Sequence, residues 1–439
     1  MPTRYDTPTL PLSAGVQVDR WWELFGDQQL FDLVERAMSN GLDARLVLAR
    51  LDEARAVRGQ ALTGFRPQGS LRSTASLANS ENLDGPESRA MRAVAISLPV
   101  SWELDLFGRH VATSQGADAD FAAARFNYEA ARASLAAQVA QTLLEARGLA
   151  VQIKDTQESF RIQRELLGIL SRQVEHGLTA RWQADRVASD VARVESQVLA
   201  LQAELSAAKR SLLVLTGDGL ASATEIEISA NMREAPIVPA TVPSGLLVRR
   251  PDIREARAQI ARAAGNVRLA ELDFYPRLTF EPSLGLSVQR GPVEAMSGLW
   301  SLGIGVTVPV LDRPRLVSAL AIQSARGEQA VIAYERVVQK AFAETDQALT
   351  RLNADRQRAV VLVEGEMLAR RAHDSARVRF TRGLGGLQEL LDAEVAWRTT
   401  RTALVSAQLD SLLRSVQAFK ALGGGWTATP NSFSIPPGY

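Results

Sequence analysis

Residues able to do chemistry are few in this sequence, and their spacing argues against catalysis. Cysteine is absent, which removes disulfides, thiol nucleophiles and cysteine-based zinc sites together. The three histidines, His110, His176 and His373, stand far apart and suggest no metal cluster. His176 and His373 read as surface residues. Glycines at Gly383-Leu384-Gly385-Gly386 are not followed by Lys-Ser or Lys-Thr, so they make no phosphate loop. Serine, histidine and aspartate occur, but no motif brings them together. Carboxylates are plentiful, and on long helices these are usually solvated faces or i,i+4 partners of arginine. No cofactor is called for, and the chain reads as a non-enzyme.

Composition agrees. Lysine plus arginine number 50 against 49 acidic residues, which gives no reason to expect nucleic acid. Apolar residues make up 46%, yet aromatics only 6%. With alanine supplying many of the rest, this suits narrow helix–helix seams better than one thick core. The 439 residues suffice for two or three ordinary domains or one elongated one. No run approaches the roughly 18–20 apolar residues of a membrane-spanning helix. The start, Met1-Pro2-Thr3-Arg4-Tyr5-Asp6, lacks the apolar stretch of a signal peptide, as in a cytosolic protein or a mature or trimmed form.

The elements that must position any site come in two copies. Phe65-Arg66-Pro67 recurs as Phe274-Tyr275-Pro276, and Leu98-Pro99-Val100 as Val308-Pro309-Val310. A constant offset of 206 then pairs Arg109 with Arg315, Tyr128-Glu129 with Tyr334-Glu335, and Gln141 with Gln347. It continues through Gly177-Leu178 with Gly383-Leu384, Gln202 with Gln408, and Gly217 with Gly423. An ungapped offset of this length means one structural unit used twice.

Each copy reads as two strands, a very long helix, a glycine break and a returning helix. Leu71, Ser73, Ala75 and Leu77 alternate with Arg72, Thr74 and Ser76, before a loop at Asn82-Leu83-Asp84-Gly85-Pro86. Val94, Ile96, Leu98 and Val100 alternate again. In the second copy Leu284, Leu286 and Val288 precede a loop at Gly291-Pro292, and Leu302, Ile304, Val306, Val308 and Val310 follow. This period-two pattern fits a membrane β-barrel or an ordinary half-buried sheet. From about Arg109 to Glu175 no proline occurs, and Val139, Ala146, Ile153, Phe160, Leu167 and Val174 repeat every seven residues. That is a coiled-coil seam about 100 Å long. A second long helix is expected from about Arg315 to Phe380. Return helices are expected from about Ala180 to Leu215 and from Leu387 to Leu422, ending at Thr216-Gly217-Asp218-Gly219 and Gly423-Gly424-Gly425.

Four strands per chain cannot close a barrel, and open edges are not tolerated in lipid. Closure therefore falls to oligomerisation. Two chains would give eight strands, filled by their own side chains; three would give twelve and an open bore. The fold class expected is a membrane α+β protein with internal duplication. Its trimer would form a 12-stranded β-barrel continued by an α-helical barrel.

Several segments resemble the outer-membrane factor family, the efflux proteins that serve tripartite pumps. They are Trp21-Trp22-Glu23-Leu24-Phe25-Gly26-Asp27 with Leu30 and Leu33, then Ser101-Trp102-Glu103-Leu104-Asp105-Leu106-Phe107-Gly108-Arg109, and Arg249-Arg250-Pro251-Asp252-Ile253-Arg254. The likeness runs from Tyr5 to about Trp426. It implies a homotrimer in the outer membrane of a Gram-negative bacterium, in contact with outer-membrane lipid, with helices in the periplasm. Barrel strand pairs would be 66–102 and 276–310, periplasmic helices 105–216 and 313–422, and an equatorial region 20–62, 217–275 and 423–439. The partners implied are a periplasmic adaptor and an inner-membrane transporter. Members near this one usually carry a lipidated cysteine at mature position one, where Met1 stands here.

The same resemblance puts Asp392 at a periplasmic aperture, with Gln388 one turn earlier in place of the leucine of some members, and Glu389 beside them. Three Asp392 carboxylates near a threefold axis would repel one another or recruit a cation. The alternative is a solvated helix-face aspartate. Gln183 aligns with Glu389, and Asp185 is one position out of register with Asp392. Gly177-Leu178 and Gly383-Leu384 resemble the family's tips, which meet the adaptor's hairpins; simple turn formation explains the glycines equally well. The function expected is a passive exit duct for drugs or other small molecules. Alternatives are an exit duct for protein secretion or metal efflux, or a soluble coiled-coil scaffold.

Overall fold

The computed structural model describes residues 20–81, 88–238, 243–290 and 294–424. The expected start at Met1, the loops at Asn82–Pro86 and Gly291-Pro292, and everything from Gly425 onward lie outside the described residues. The chain divides into two compact units, one holding residues 50–125 and 255–336, the other 20–49, 126–254 and 337–424.

The first unit carries the sheet. Strands β1 (Gln68–Gly69), β2 (Arg72–Glu81), β3 (Ser88–Leu104), β4 (Arg277–Arg290) and β5 (Ala295–Thr307) are all antiparallel to their neighbours. β2 and β1 lie along one edge of β3, β4 along its other edge, and β5 beyond β4. β1 and β2 keep one register, from Gln68 opposite Ser101 to Glu81 opposite Ser88, but pairing lapses at Ser70 and Leu71, opposite Pro99 and Leu98. Pro99 has no N–H to give across that edge. Pairing of β3 with β4 lapses where Pro282 would face Val100, for the same reason. β5 ends at Thr307, opposite Arg277. Val308 and Val310, expected within the alternating strand, therefore lie beyond it. The next pairing would set Val308 against Pro276, with Pro309 following, and neither proline can donate.

Register sorts the side chains. Val94, Ile96 and Leu98 of β3 share a face with Phe280, Leu284, Leu286 and Val288 of β4 and Trp300, Leu302, Ile304 and Val306 of β5. The opposite face holds Ala93, Ala95, Ser97, Thr279, Glu281, Ser283, Gly285, Ser287, Ser297, Ser301, Gly303 and Gly305, with Met91 and Leu299 the large apolar exceptions. The apolar face is exposed: Trp300 is 72% and Ile304 71% accessible.

The helices are α1 (Gln28–Asn40), α2 (Leu42–Thr63), α3 (Arg109–Glu175), α4 (Arg181–Thr216), α5 (Leu246–Arg249), α6 (Pro251–Leu272), α7 (Arg313–Thr381) and α8 (Leu387–Ala421). Among the described residues no helix is long and apolar enough to cross a membrane. The duplication extends upstream of what the sequence pairs, since α2 and α6 each have 22 residues and precede corresponding strands.

The motif segments have structural duties. Asp105 caps α3, its carboxylate accepting from the N–H groups of Gly108, Arg109 and His110 at 2.7–2.9 Å. Arg109 crosses to Asp273 at 2.9 Å and to the Leu272 carbonyl at 3.0 Å. In the second unit, Trp21 stacks on Phe419 at 5.7 Å and meets Trp22 and Phe25 edge-on. Asp27 caps α1 through the Leu30 N–H and forms a buried ion pair with Arg147. Arg250, before Pro251 at the first turn of α6, holds Asp252 at 2.6 Å, Glu344 at 2.8 Å and the Ala421 carbonyl at 3.1 Å.

The seven-residue seam holds for part of α3. Val139, Ala146 and Ile153 are buried, but Phe160, Leu167 and Val174 are only half-buried, and Ser159, Gln163, Leu166 and Leu170 take the inner positions. A helix of 3.6 residues per turn drifts about 20° per heptad unless it supercoils. Over several heptads the inward stripe moves to neighbouring columns.

Candidate functional site

The two helix-to-helix turns are built alike. α3 runs to Glu175 and α7 to Thr381, and each overshoots into a glycine in the left-handed region, Gly177 and Gly383, both at φ 70°. The glycine N–H reaches Val174 or Phe380 at 3.0 Å, and the following leucine N–H reaches Gln173 or Arg379 at 2.8 Å. This is the paired hydrogen-bond closure that ends many helices. A Cβ on either glycine would meet nothing within 4 Å, so backbone conformation rather than space requires glycine. In such closures the residue after the glycine usually packs back on the helix. Here that helix position is Gln173 or Arg379, and Leu178 and Leu384 stay 76% and 69% exposed. Trp182, in the first turn of α4, is 61% exposed.

Beneath the turns the four helices share an apolar cluster. Leu166 and Leu170 of α3, Val187 of α4, Ala376 of α7, and Leu390 and Leu391 of α8 are buried together. The packing faces of α8 turn Gln388 and Asp392 outward on one column, four residues apart. Gln388 Nε2 donates to Asp392 Oδ1 at 2.7 Å, and Arg186 Nη1 of α4 donates to Gln388 Oε1 at 2.8 Å. Two of the three expected aperture residues are thus brought together. Glu389 is drawn elsewhere: its carboxylate lies 3.6 Å from Arg379 of α7. Asp185 has no part in this chain of contacts.

Sequence reasoning missed Arg186, although the 206-residue offset marks it as the counterpart of Asp392. It also missed a polar layer inside the same helices and misplaced His373. That histidine is 2% exposed, not a surface residue. Its ring stacks on Trp397 at 4.9 Å, and neither ring nitrogen has a hydrogen-bond partner among the described residues. The stacking hides it, since α7 turns position 373 toward α8. Trp397 Nε1 donates to Glu366 at 2.9 Å. Glu394, also 2% exposed, lies 3.5 Å from Arg398 and beside Gln163. Burial, helped by Asp190, pushes the Glu394 carboxyl up, while Arg398, His373 and Gln163 oppose the shift. Among the described residues no group of three or more potential ligands could hold a metal ion. What the turns offer is exposed apolar tips, a polar column beside them and no catalytic constellation.

The family described as "Outer membrane efflux protein" matches residues 33–218 and 242–424. The chain is 28% identical over 436 residues to the pyoverdine export outer membrane protein OpmQ of Pseudomonas putida, covering 97% of this chain and 92% of that one. It is 26% identical over 416 residues to the cation efflux system protein CusC of Escherichia coli, covering 92% and 88%. The solved outer-membrane channel OprN superposes with a TM-score of 0.85 at 26% identity, covering 97% of both chains.

Proposed function

The chain belongs to the outer membrane efflux protein family, and on that premise we propose that three copies close one passive tunnel for small molecules. It is an outer-membrane efflux component and not an enzyme. The observation that carries the trimer is the sheet itself. Its apolar face is bare, and among the described residues β2 pairs only with β3 and β5 only with β4. Bare apolar faces suit lipid, but open edges do not. Joining β5 of one copy to β2 of the next removes every edge, and twelve strands leave a bore where eight would be filled.

In this reading β1 to β5 form the barrel, α3, α4, α7 and α8 the periplasmic helices, and residues 20–62, 217–238, 243–275 and 423–424 the equatorial region. Asp392 and Gln388 line the periplasmic aperture, and Glu389 braces the second tip through Arg379. The exposed Leu178 and Leu384 receive the hairpins of a periplasmic adaptor, which links the duct to an inner-membrane transporter. The relatives named for pyoverdine export and cation efflux support small cargo rather than protein; selectivity among cargoes falls to the transporter.

The test is the protein-only mass of membrane-extracted material, by light scattering in detergent. Three chain masses and no stable detergent-free form are expected. A detergent-free monomer or dimer would overturn the tunnel.

A further inference from the structure

Where the exposed apolar face of the sheet ends, two arginines meet. Register sets Arg92 of β3 directly opposite Arg290 of β4. Both belong to the apolar face: Arg92 comes two residues before Val94, and Arg290 two residues after Val288, itself opposite Val94. Both are exposed. Neither makes an ion pair or hydrogen bond with another described residue. Like charges directly opposite on a sheet repel, so this pair costs stability unless an anion lies between its guanidinium groups.

The level of the pair says which anion. On β4 the apolar face runs from Leu278 to Val288. At about 3.4 Å per residue and a tilt near 45°, that stretch rises roughly 24 Å. A lipid-facing band of a barrel is about 25 Å tall. Arg92 and Arg290 stand one strand repeat above it, at headgroup height. They lie at the hairpin end of the sheet, away from the end at which β3 and β5 lead into α3 and α7. β3 and β4 are the inner strands, so closure through β2 and β5 leaves the pair uncovered. Guanidinium forks suit phosphate oxygens better than ammonium groups do.

We propose that Arg92 and Arg290 together bind the phosphate of a lipid headgroup in the leaflet facing away from the helices, one site per protomer. The inference rests on the barrel reading above. Full-length protein, wild type and the double variant Arg92→Gln/Arg290→Gln, would be reconstituted in phosphatidylcholine vesicles. These would carry either a bis-phosphorylated glucosamine lipid or its dephosphorylated analogue, and lipid retained after extraction would be measured by native mass spectrometry.

Wild type should retain the phosphorylated lipid roughly thirtyfold better than the double variant, and the dephosphorylated analogue no better than the variant does. Arg92→Lys/Arg290→Lys should recover part of the difference. Equal retention by wild type and a double variant that is still trimeric and conducting would overturn the site. So would displacement by millimolar inorganic phosphate with no preference between the two lipids. Failure of the wild type to form a membrane trimer would instead strike the barrel reading, which separates the two conclusions.

Discussion

Arg186 and Asp392 occupy equivalent positions in the two repeats, carry opposite charges, and are joined through one side chain, Gln388. The duplication thus brings corresponding turns of α4 and α8 side by side and differentiates them. One copy supplies a cation and the other an anion, and the amide between them donates to one and accepts from the other. All three are exposed, so their contribution to stability is small, on the order of 0–1 kcal/mol. On the aperture reading proposed above, their effect is expected in transport.

Asp392→Ala should therefore leave thermal stability nearly unchanged, while raising single-channel conductance or lowering cation preference in planar bilayers. Arg186→Ala frees Gln388 from α4 and should move conductance in the same direction by less. Unaltered conductance and selectivity in both variants would remove Asp392 from the aperture.

Gly177 and Gly383 need glycine for φ alone. Gly383→Ala should cost about 1–2 kcal/mol and Gly383→Asn less, because asparagine tolerates the left-handed region. Denaturant midpoints of the two variants would check this, and an equal cost would point to steric crowding, which the open surroundings contradict.

Leu178→Ser and Leu384→Ser remove exposed apolar surface and should not destabilise the protein. Adaptor capture on a sensor surface should nevertheless fall, most in the double variant. Unchanged capture would leave the tips as mere turns.

Glu394 titrates against stability. Its folded pKa is raised, so the folded protein holds the proton more tightly than the unfolded chain. The associated stability is fully present below the ordinary value of 4.5 and is lost as pH rises through the folded pKa. Glu394→Gln should raise the melting temperature at pH 7, with the gap closing as pH falls. A gap independent of pH would assign the effect to packing.

Asp27 runs the other way. Burial raises its carboxyl, but the Arg147 hydrogen bond, the Leu30 N–H and the Arg147 and Arg233 charges outweigh that and hold it below 3.8. Its stabilisation is present above 3.8 and lost as pH falls through the lower folded value. Asp27→Ala leaves Arg147 buried without its counter-ion and should cost roughly 3–5 kcal/mol at neutral pH, measurable by chemical denaturation.

Local chemistry made much of the fold legible. Helix ends at Glu175, Thr216 and Thr381 follow from glycines in the left-handed region, which most side chains adopt only at a cost, and strand faces follow from alternation. Family likeness pointed to Gln388 and Asp392 because it carries position rather than contact. Arg186 needed one more step, the arithmetic of the repeat. His373, Glu394 and Gln163 were out of reach, because their burial depends on which columns of α3, α7 and α8 face inward. That in turn depends on whether each helix keeps a seven-residue stripe or drifts from it. The strand boundary at Thr307 was missed for a related reason: alternation continues to Val310, but the partner strand offers a proline.

The break opposite Pro99 also bears on the proposed assembly. A lone protomer carries two raw β-edges, and a long flat edge is a template for stray strands. The interruption at Ser70 and Leu71 separates the two residues of β1 from the ten of β2, so the edge strand is not one continuous template. In the trimer proposed above, a partner arriving in matching register would engage both segments at once, and the proline that interrupts one row of hydrogen bonds would thereby favour the correct pairing over a stray one.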